Sequence, residues 1–211
     1  MARYTGSKTK LSKKIGKNLF NKGARSYSAK DDFTKRPYKS GQHGPNKRFS
    51  RTSEYGKQLL EKQSLRYSYG LVEKQLANLF KKAFKTTGDT GKFVLISLER
   101  RLDNLIYKSG WSNSRDQARQ LVNHGHFQVN GITVDIPSYQ VKIGDIIIVK
   151  DNKKVKNFWK EFKLEVPNTV PSWIDASKSD QIKVINLPLD EDLPQEFKVG
   201  AVVEYYSRKV R

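Results

Sequence analysis

The 211-residue chain carries 41 Lys and Arg against 21 Asp and Glu, a formal net charge of +20, with 36% hydrophobic residues and no cysteine. That imbalance calls for an anionic partner, whether nucleic acid, an anionic membrane surface or an acidic protein, while the apolar content still permits a packed core. The lack of cysteine excludes disulfides, thiolate catalysis and any Cys-based zinc site.

No apolar run approaches the roughly 18 residues of a membrane-spanning helix, and the start lacks the apolar middle of a secretory signal. A soluble, intracellular protein is the expectation. The charge is uneven. Residues 1–50 hold 14 basic and 2 acidic residues, a net of +12, whereas residues 151–211 hold 11 and 10. Such asymmetry describes a basic arm laid along phosphates, followed by more ordinary globular sequence.

Residues 1–52 have little periodicity and scattered aromatics. They are predicted to be mostly irregular, with one short helix near Leu11 to Phe20, and to order against a partner. Ser53 is the expected N-cap of a helix to about Tyr67. A second helix from about Leu71 places Val72, Leu76, Leu79, Phe80 and Ala83 on one face, and Lys74, Asn78, Lys81 and Lys85 on another. That second face is either solvated or turned to phosphates, and its single sign of charge favours phosphates. Thr87 to Gly91 is a turn or linker.

From residue 93 the pattern changes. Leu98, Leu102, Leu105 and Ile106 form the apolar face of one short helix, stopped by Gly110. Ser114 and Gln117 read as a capping box for a helix to about Asn123. Phe127 to Val134 alternates around Asn130-Gly131, a hairpin with a type I′ turn. Ile146 to Val149 is a buried strand. A helix is expected around Phe158 to Phe162, and two further strands at Gln181 to Ile185 and Ala201 to Tyr206.

The two helices around 98–107 and 115–123 present Arg100, Arg101, Asn104, Tyr107, Arg115, Arg119 and Gln120. These side chains suit phosphate forks and base edges. Trp111 could stack on a base, although a lone Trp more often packs.

The segments Leu98 to Asn104, Ser114 to His124 and Val129-Asn130-Gly131 resemble the αL RNA-binding motif. The start Met1-Ala2-Arg3-Tyr4-Thr5-Gly6, the run Gly41-Gln42-His43-Gly44, Ser53 to Leu59 with Glu61-Lys62-Gln63, and Val203 to Ser207 resemble bacterial-type small-subunit ribosomal protein four. The matches are collinear across nearly the whole chain. The resemblance implies a non-enzymatic structural protein that binds the 5′ domain of small-subunit rRNA directly and nucleates assembly of the subunit body. Its implied partners are rRNA, mRNA where it enters the subunit, and ribosomal protein five, with ribosomal protein three a further neighbour. It would act as a monomer within a cytoplasmic or organellar ribosome, and no membrane is involved.

The RNA-binding set expected on these grounds begins with Arg3, Tyr4, Lys8, Lys10, Lys13, Lys14, Gln42 and His43. It continues through Tyr55, Lys62, Arg66, Lys74 and Lys81, and then Arg100, Arg101, Asn104, Tyr107, Ser114, Arg115, Arg119, Gln120 and His124. By resemblance, Lys47, Arg48 and Arg51 face incoming mRNA, and Tyr205 and Tyr206 lie at a protein interface. The implied architecture is α+β. A basic, partly irregular arm (1–52) precedes a mostly helical domain (53–92 completed by 176–211), into which an αL domain of two short helices on a small antiparallel sheet (93–175) is inserted.

The sequence departs from the family in several places. Many members hold zinc through cysteines in the N-terminal region, and this chain cannot, so no cofactor is expected. The stretch from Gly44 to Ser53 is slightly long, Arg100 stands where Gly is frequent, and Lys209-Val210-Arg211 runs past the usual end.

Rival classes fare poorly. An RNA-modifying enzyme of the pseudouridine synthase kind needs a catalytic domain that neither 92 residues before Phe93 nor 61 after Lys150 resemble. His124 and His126 have no supporting carboxylates for a metal, and there is no phosphate loop or nucleophile elbow.

Overall fold

A computed structural model of the chain describes residues 4–45, 52–155, 157–167, 169–178 and 180–210. In chain order its helices begin with α1 (Lys8–Ile15), a 3-10 turn (Gly23–Tyr27), α2 (Asp32–Lys35), α3 (Glu54–Ser68), α4 (Glu73–Ala83) and α5 (Thr90–Glu99). Then follow α6 (Leu102–Lys108), α7 (Arg115–Asn123), β1 (Phe127–Val129), β2 (Ile132–Thr133) and β3 (Ile146–Val149). The last are α8 (Asp151–Lys154), α9 (Asn157–Glu161), β4 (Ile174–Lys178), β5 (Gln181–Val184) and α10 (Val199–Val210). Two compact units result, Met1–Val94 with Gln195–Arg211, and Leu95–Pro194, the chain passing from one to the other within α5.

The first unit is helical. Leu65 of α3, Leu76 and Phe80 of α4, and Val202 and Tyr206 of α10 are wholly buried, and the Phe80 and Tyr206 rings stack at 4.4 Å. Ser53 caps α3 as expected, its hydroxyl accepting from Gly56 N at 3.2 Å. The predicted strand at Ala201 to Tyr206 is wrong: these residues lie in α10. Val202, Tyr205 and Tyr206 fall at helical spacing on one buried face, and that stripe outweighs the strand preference of valine and tyrosine.

Residues 4–45 are more ordered than their composition suggested. The short helix stops at Ile15 rather than Phe20, because Gly16 adopts the left-handed conformation (φ 81°) and donates to Ser12 O at 2.8 Å. Asp31, almost fully buried, accepts from Asn18 Nδ2 at 3.2 Å and from Thr34 N at 3.4 Å. Asn21 Nδ2 donates to Tyr67 O at 3.0 Å, and Lys17 pairs with Glu61 at 3.1 Å. These polar bonds to α3 add to the burial of Leu11 and Leu19.

The second unit packs α6 and α7 on a five-stranded antiparallel sheet of order β2-β1-β3-β5-β4. Its core joins Leu102, Leu105 and Ile106 of α6 and Ala118, Leu121 and Val122 of α7 to Phe127, Val129, Ile147, Ile174 and Ile182 of the sheet. Trp111 lies in this core with its ring stacked on Phe127, so it packs. The Asn130-Gly131 turn has φ of 50° and 82°, both positive as a type I′ turn requires.

Two expectations are corrected in this unit. Leu98 and Leu102 do not share a helix: α5 ends at Glu99 and α6 begins at Leu102. The break arises where Leu102 N donates to Tyr139 O at 2.9 Å and Val141 N to Arg100 O at 3.0 Å, long-range bonds that local periodicity cannot reveal. Residues 176–194, grouped by sequence with the helical domain, instead supply β5 and the end of β4 to this sheet.

Candidate nucleic-acid interface

The α6–α7 pair is built around one buried polar side chain, Asn104. Asn104 is about 1% exposed. Its amide donates to Glu99 Oε2 at 2.8 Å and to Glu99 O at 3.2 Å, while its carbonyl oxygen accepts from Arg115 Nε at 2.8 Å. The Arg115 guanidinium also lies 4.7 Å from the centre of the Tyr107 ring. Two independent contacts therefore hold this half-buried cation in one orientation at the start of α7, and a pre-oriented fork suits phosphate or a base edge. Ser114 caps the helix, its hydroxyl accepting from Gln117 N at 3.2 Å. Gln117 Oε1 accepts from Asn113 N at 2.7 Å, one residue beyond the N-cap amide of the usual box.

Around Arg115 the expected residues divide. Arg100 is half-buried and donates through Nε to Val141 O at 2.9 Å. Gln120 and His124, on the outer side of α7 and at its end, are exposed. Arg101, Asn104 and Arg119 were expected on an open face, and the structure buries all three. Arg101 forms a two-point pair with Asp103, at 3.0 Å and 2.7 Å, and Arg119 lies on the side of α7 that carries Ala118 and Val122 into the core. Arg101 and Asn104 find their partners close by, in Asp103 and Glu99, but the break between α5 and α6 turns them inward, so the period of one continuous helix misplaced them.

In the first unit, Tyr55, Lys74 and Lys81 are exposed, as are Tyr4, Lys10, Lys14, Gln42 and His43, while Lys8 and Lys13 are half-buried. Lys8 lies over the Tyr4 ring at 5.5 Å. Lys62 is buried and Arg66 half-buried, both donating to Glu73 Oε2 at 2.9 Å. Tyr205 and Tyr206, expected at a protein interface, are buried within the unit because both fall on the inward stripe of α10. Arg3, Lys47, Arg48 and Arg51 lie outside the described residues.

Some residues escaped the sequence reading. Lys22, Lys35 and Arg36 line one pocket together with Lys10 and Lys13. Their irregular spacing carries no periodic signal. Glu99 also went unnoticed, because a carboxylate inside a basic RNA-binding stretch looks like noise until its contact with Asn104 is seen. His126, paired in sequence with His124, is buried and accepts at Nδ1 from Trp159 Nε1 at 2.9 Å, which binds α9 to the sheet.

Residues 3–99 match the Ribosomal protein S4/S9 N-terminal domain, and residues 100–147 match the S4 domain. Small ribosomal subunit protein uS4A of Clostridium botulinum is 44% identical over 209 residues, which cover 99% of this chain and 100% of the relative. The uS4 proteins of Caldicellulosiruptor saccharolyticus and Thermodesulfovibrio yellowstonii are each 43% identical over 210 residues, with the same coverage. The chain belongs to the uS4 family of small ribosomal subunit proteins. Members of the uS4 family are structural and non-enzymatic, and this one is a structural rRNA-binding component of the ribosome. The S4-domain match coincides with α6, α7, the hairpin and the start of β3, the elements that orient Arg115. The strands β4 and β5 that complete the sheet lie beyond it.

Proposed function

We propose that this uS4 protein binds the 5′ domain of 16S-type rRNA directly, ahead of other proteins, and thereby nucleates assembly of the subunit body. The observation that carries the reading is the locked Arg115 fork on α6–α7, standing alongside an N-terminal segment of net charge +12. Neutralising phosphates releases condensed counterions, which supplies affinity that falls with salt. Specificity then comes from RNA shape, because the deep groove of an A-form helix excludes side chains.

Within this reading the residues take two roles. Arg100, Tyr107, Arg115, Gln120 and His124 touch RNA, with Lys74, Lys81 and the basic residues of the N-terminal module. Asn104 and the Arg101–Asp103 pair hold that surface in shape. The basic run containing Lys47, Arg48 and Arg51 is assigned to incoming mRNA by the family resemblance. Contact with ribosomal protein five, and through it an influence on translational accuracy, is assigned to the surface of α3 and α10, where Tyr55 is exposed and packs at a tilt, ring centres 5.7 Å apart, against the buried Tyr205. Ribosomal protein three is a further neighbour. No zinc enters this account, because the chain has no cysteine and Asp31 with its partners ties the N-terminal module together.

The test is filter binding to a 5′-domain rRNA fragment across a salt series, with an unrelated structured RNA as competitor. Tight, competitor-resistant binding with a steep salt slope is expected. Equal affinity for both RNAs would reduce the protein to a generic basic RNA binder.

A further inference from the structure

In the second unit, residues 157–165 run from the sheet to the loop that leads into α7, and polar bonds hold them at both ends. At the sheet, Trp159 of α9 donates its indole hydrogen to His126 Nδ1 at 2.9 Å. An indole nitrogen only donates, so the contact fixes the imidazole as an acceptor at Nδ1. His126 is itself tied to the sheet, its carbonyl accepting from Lys150 N at 2.8 Å. At the loop, the Asn113 side chain donates to Lys163 O at 3.3 Å and accepts from Glu165 N at 2.8 Å.

Asn113 stands directly before the Ser114 cap and two residues before Arg115. Its backbone amide donates to Gln117 Oε1 at 2.7 Å, so the first turn of α7 and the 157–165 segment meet at this one residue. The aromatic contacts converge on the same loop. The Trp159 ring meets Trp111 and Phe127 edge-on, at 6.2 Å and 5.9 Å.

A segment that only covered the core would need apolar burial, which has no direction. Hydrogen bonds at two anchors do more, because they fix where the loop lies. Arg115 depends on that position. Its bond to Asn104 at 2.8 Å and its approach to the Tyr107 ring at 4.7 Å both cross from α7 to α6, and residues 109–114 set how those helices meet. A contact side chain keeps its geometry only when the groups behind it are held in turn.

We propose that residues 157–165 form a brace, with Asn113 and His126 as positioning residues that anchor it so that Arg115 meets RNA already oriented. The inference rests on the assignment of Arg115 to RNA and names what keeps that contact in place. The brace lies outside residues 100–147, which match the S4 domain.

Asn113→Ala, His126→Leu and His126→Asn are made in the full chain, each with Arg115 intact and each with Arg115→Ala. In His126→Asn the side-chain oxygen takes the place of Nδ1 as acceptor for Trp159. Circular dichroism and a thermal midpoint verify folding, and binding to the 5′-domain fragment is measured at one salt concentration. The Arg115 Nε–H resonance, sheltered by its bond to Asn104, is followed by NMR. With Arg115 intact, Asn113→Ala and His126→Leu should bind about fivefold more weakly, on the scale of one lost hydrogen bond, and their Arg115 Nε–H should exchange faster with water. His126→Asn should match the wild type in both. With Arg115→Ala all three should bind alike, because residues acting through Arg115 then have nothing to act on. If Asn113→Ala fails to fold, the two His126 variants carry the same comparison.

An equal loss of binding in both backgrounds overturns the brace and leaves Arg115 as an RNA contact. So does an unchanged affinity or an unchanged Arg115 signal in a folded His126→Leu or Asn113→Ala variant. Wild-type affinity in Arg115→Ala alone removes the Arg115 assignment itself, and the brace falls with it.

Discussion

Tyr206 donates its phenolic hydrogen to Glu73 Oε1 across 2.9 Å, while Lys62 and Arg66 each donate to the opposite oxygen at 2.9 Å. One carboxylate at the first turn of α4 thus joins α3, α4 and α10. Burial, reinforced by the adjacent carboxylate, pushes the Tyr206 phenol far above its ordinary range, so it remains a donor. Burial would also raise Glu73, but hydrogen bonds from Lys62 and Tyr206, with the charges of Lys62 and Arg66, outweigh it and hold the carboxyl below the usual value.

That arrangement makes the first unit acid-sensitive. A carboxyl depressed in the folded state stabilises the fold above its unfolded value of about 4.3, and the contribution is lost as pH falls through and below that value. The thermal midpoint of the wild type should therefore drop between about pH 5 and pH 3 more steeply than that of Glu73→Gln. Near neutral pH, Glu73→Ala should cost about 2 kcal/mol, less than a fully buried pair because the carboxylate is partly open to water. Tyr206→Phe should cost about 1 kcal/mol. Chemical denaturation with a first-unit fluorescence probe measures both.

Arg115 and Arg101 stand near each other in sequence and have opposite roles. Arg115→Ala leaves the buried Asn104 carbonyl without its donor and should cost about 1 kcal/mol of stability, while folded molecules bind rRNA more weakly with a salt slope lower by about one. Arg101→Ala strands the buried Asp103 carboxylate and should destabilise the second unit by about 3 kcal/mol, while folded molecules keep the wild-type slope. Equal slopes for the two variants would contradict the division between contact and positioning residues.

The cap of α7 can be tested alone. Ser114→Ala removes an acceptor for Gln117 N and should cost about 1 kcal/mol of stability. Because α7 begins with Arg115, fraying its first turn should also weaken RNA binding, and Ser114→Asp should restore both.

At the hairpin, Gly131→Ala should cost about 1–2 kcal/mol, since its φ of 82° crowds a Cβ. Asn130 holds the turn through its side chain, donating to Asp145 Oδ1 and accepting from Ile146 N, both at 2.9 Å. Asn130→Gly would keep the backbone conformation yet lose those two bonds, so its stability should also fall, measured by urea midpoint.

These residues also show where sequence reading succeeds. The Ser114 cap and the Asn130-Gly131 turn were legible because each depends on neighbours within a few positions. Helix α10 was misread because valine and tyrosine suit strands, and its inward stripe becomes decisive only against Phe80 and Leu65. The burial of Arg101, Asn104 and Arg119 was invisible because the break between α5 and α6 and the core around them are fixed by tertiary packing, although Asp103 and Glu99, the partners of the first two, are close in sequence. The pocket between α1 and α2 escaped because residues 10, 13, 22, 35 and 36 share no period.

Chemical probing of full-length small-subunit rRNA with this protein as the only protein present tests direct primary binding most plainly. The expected result is protection concentrated at a junction of helices in the 5′ domain, lost when Arg115 is replaced by alanine together with Lys35 and Arg36. Protection spread evenly over the RNA, or appearing only once other ribosomal proteins are added, would contradict it.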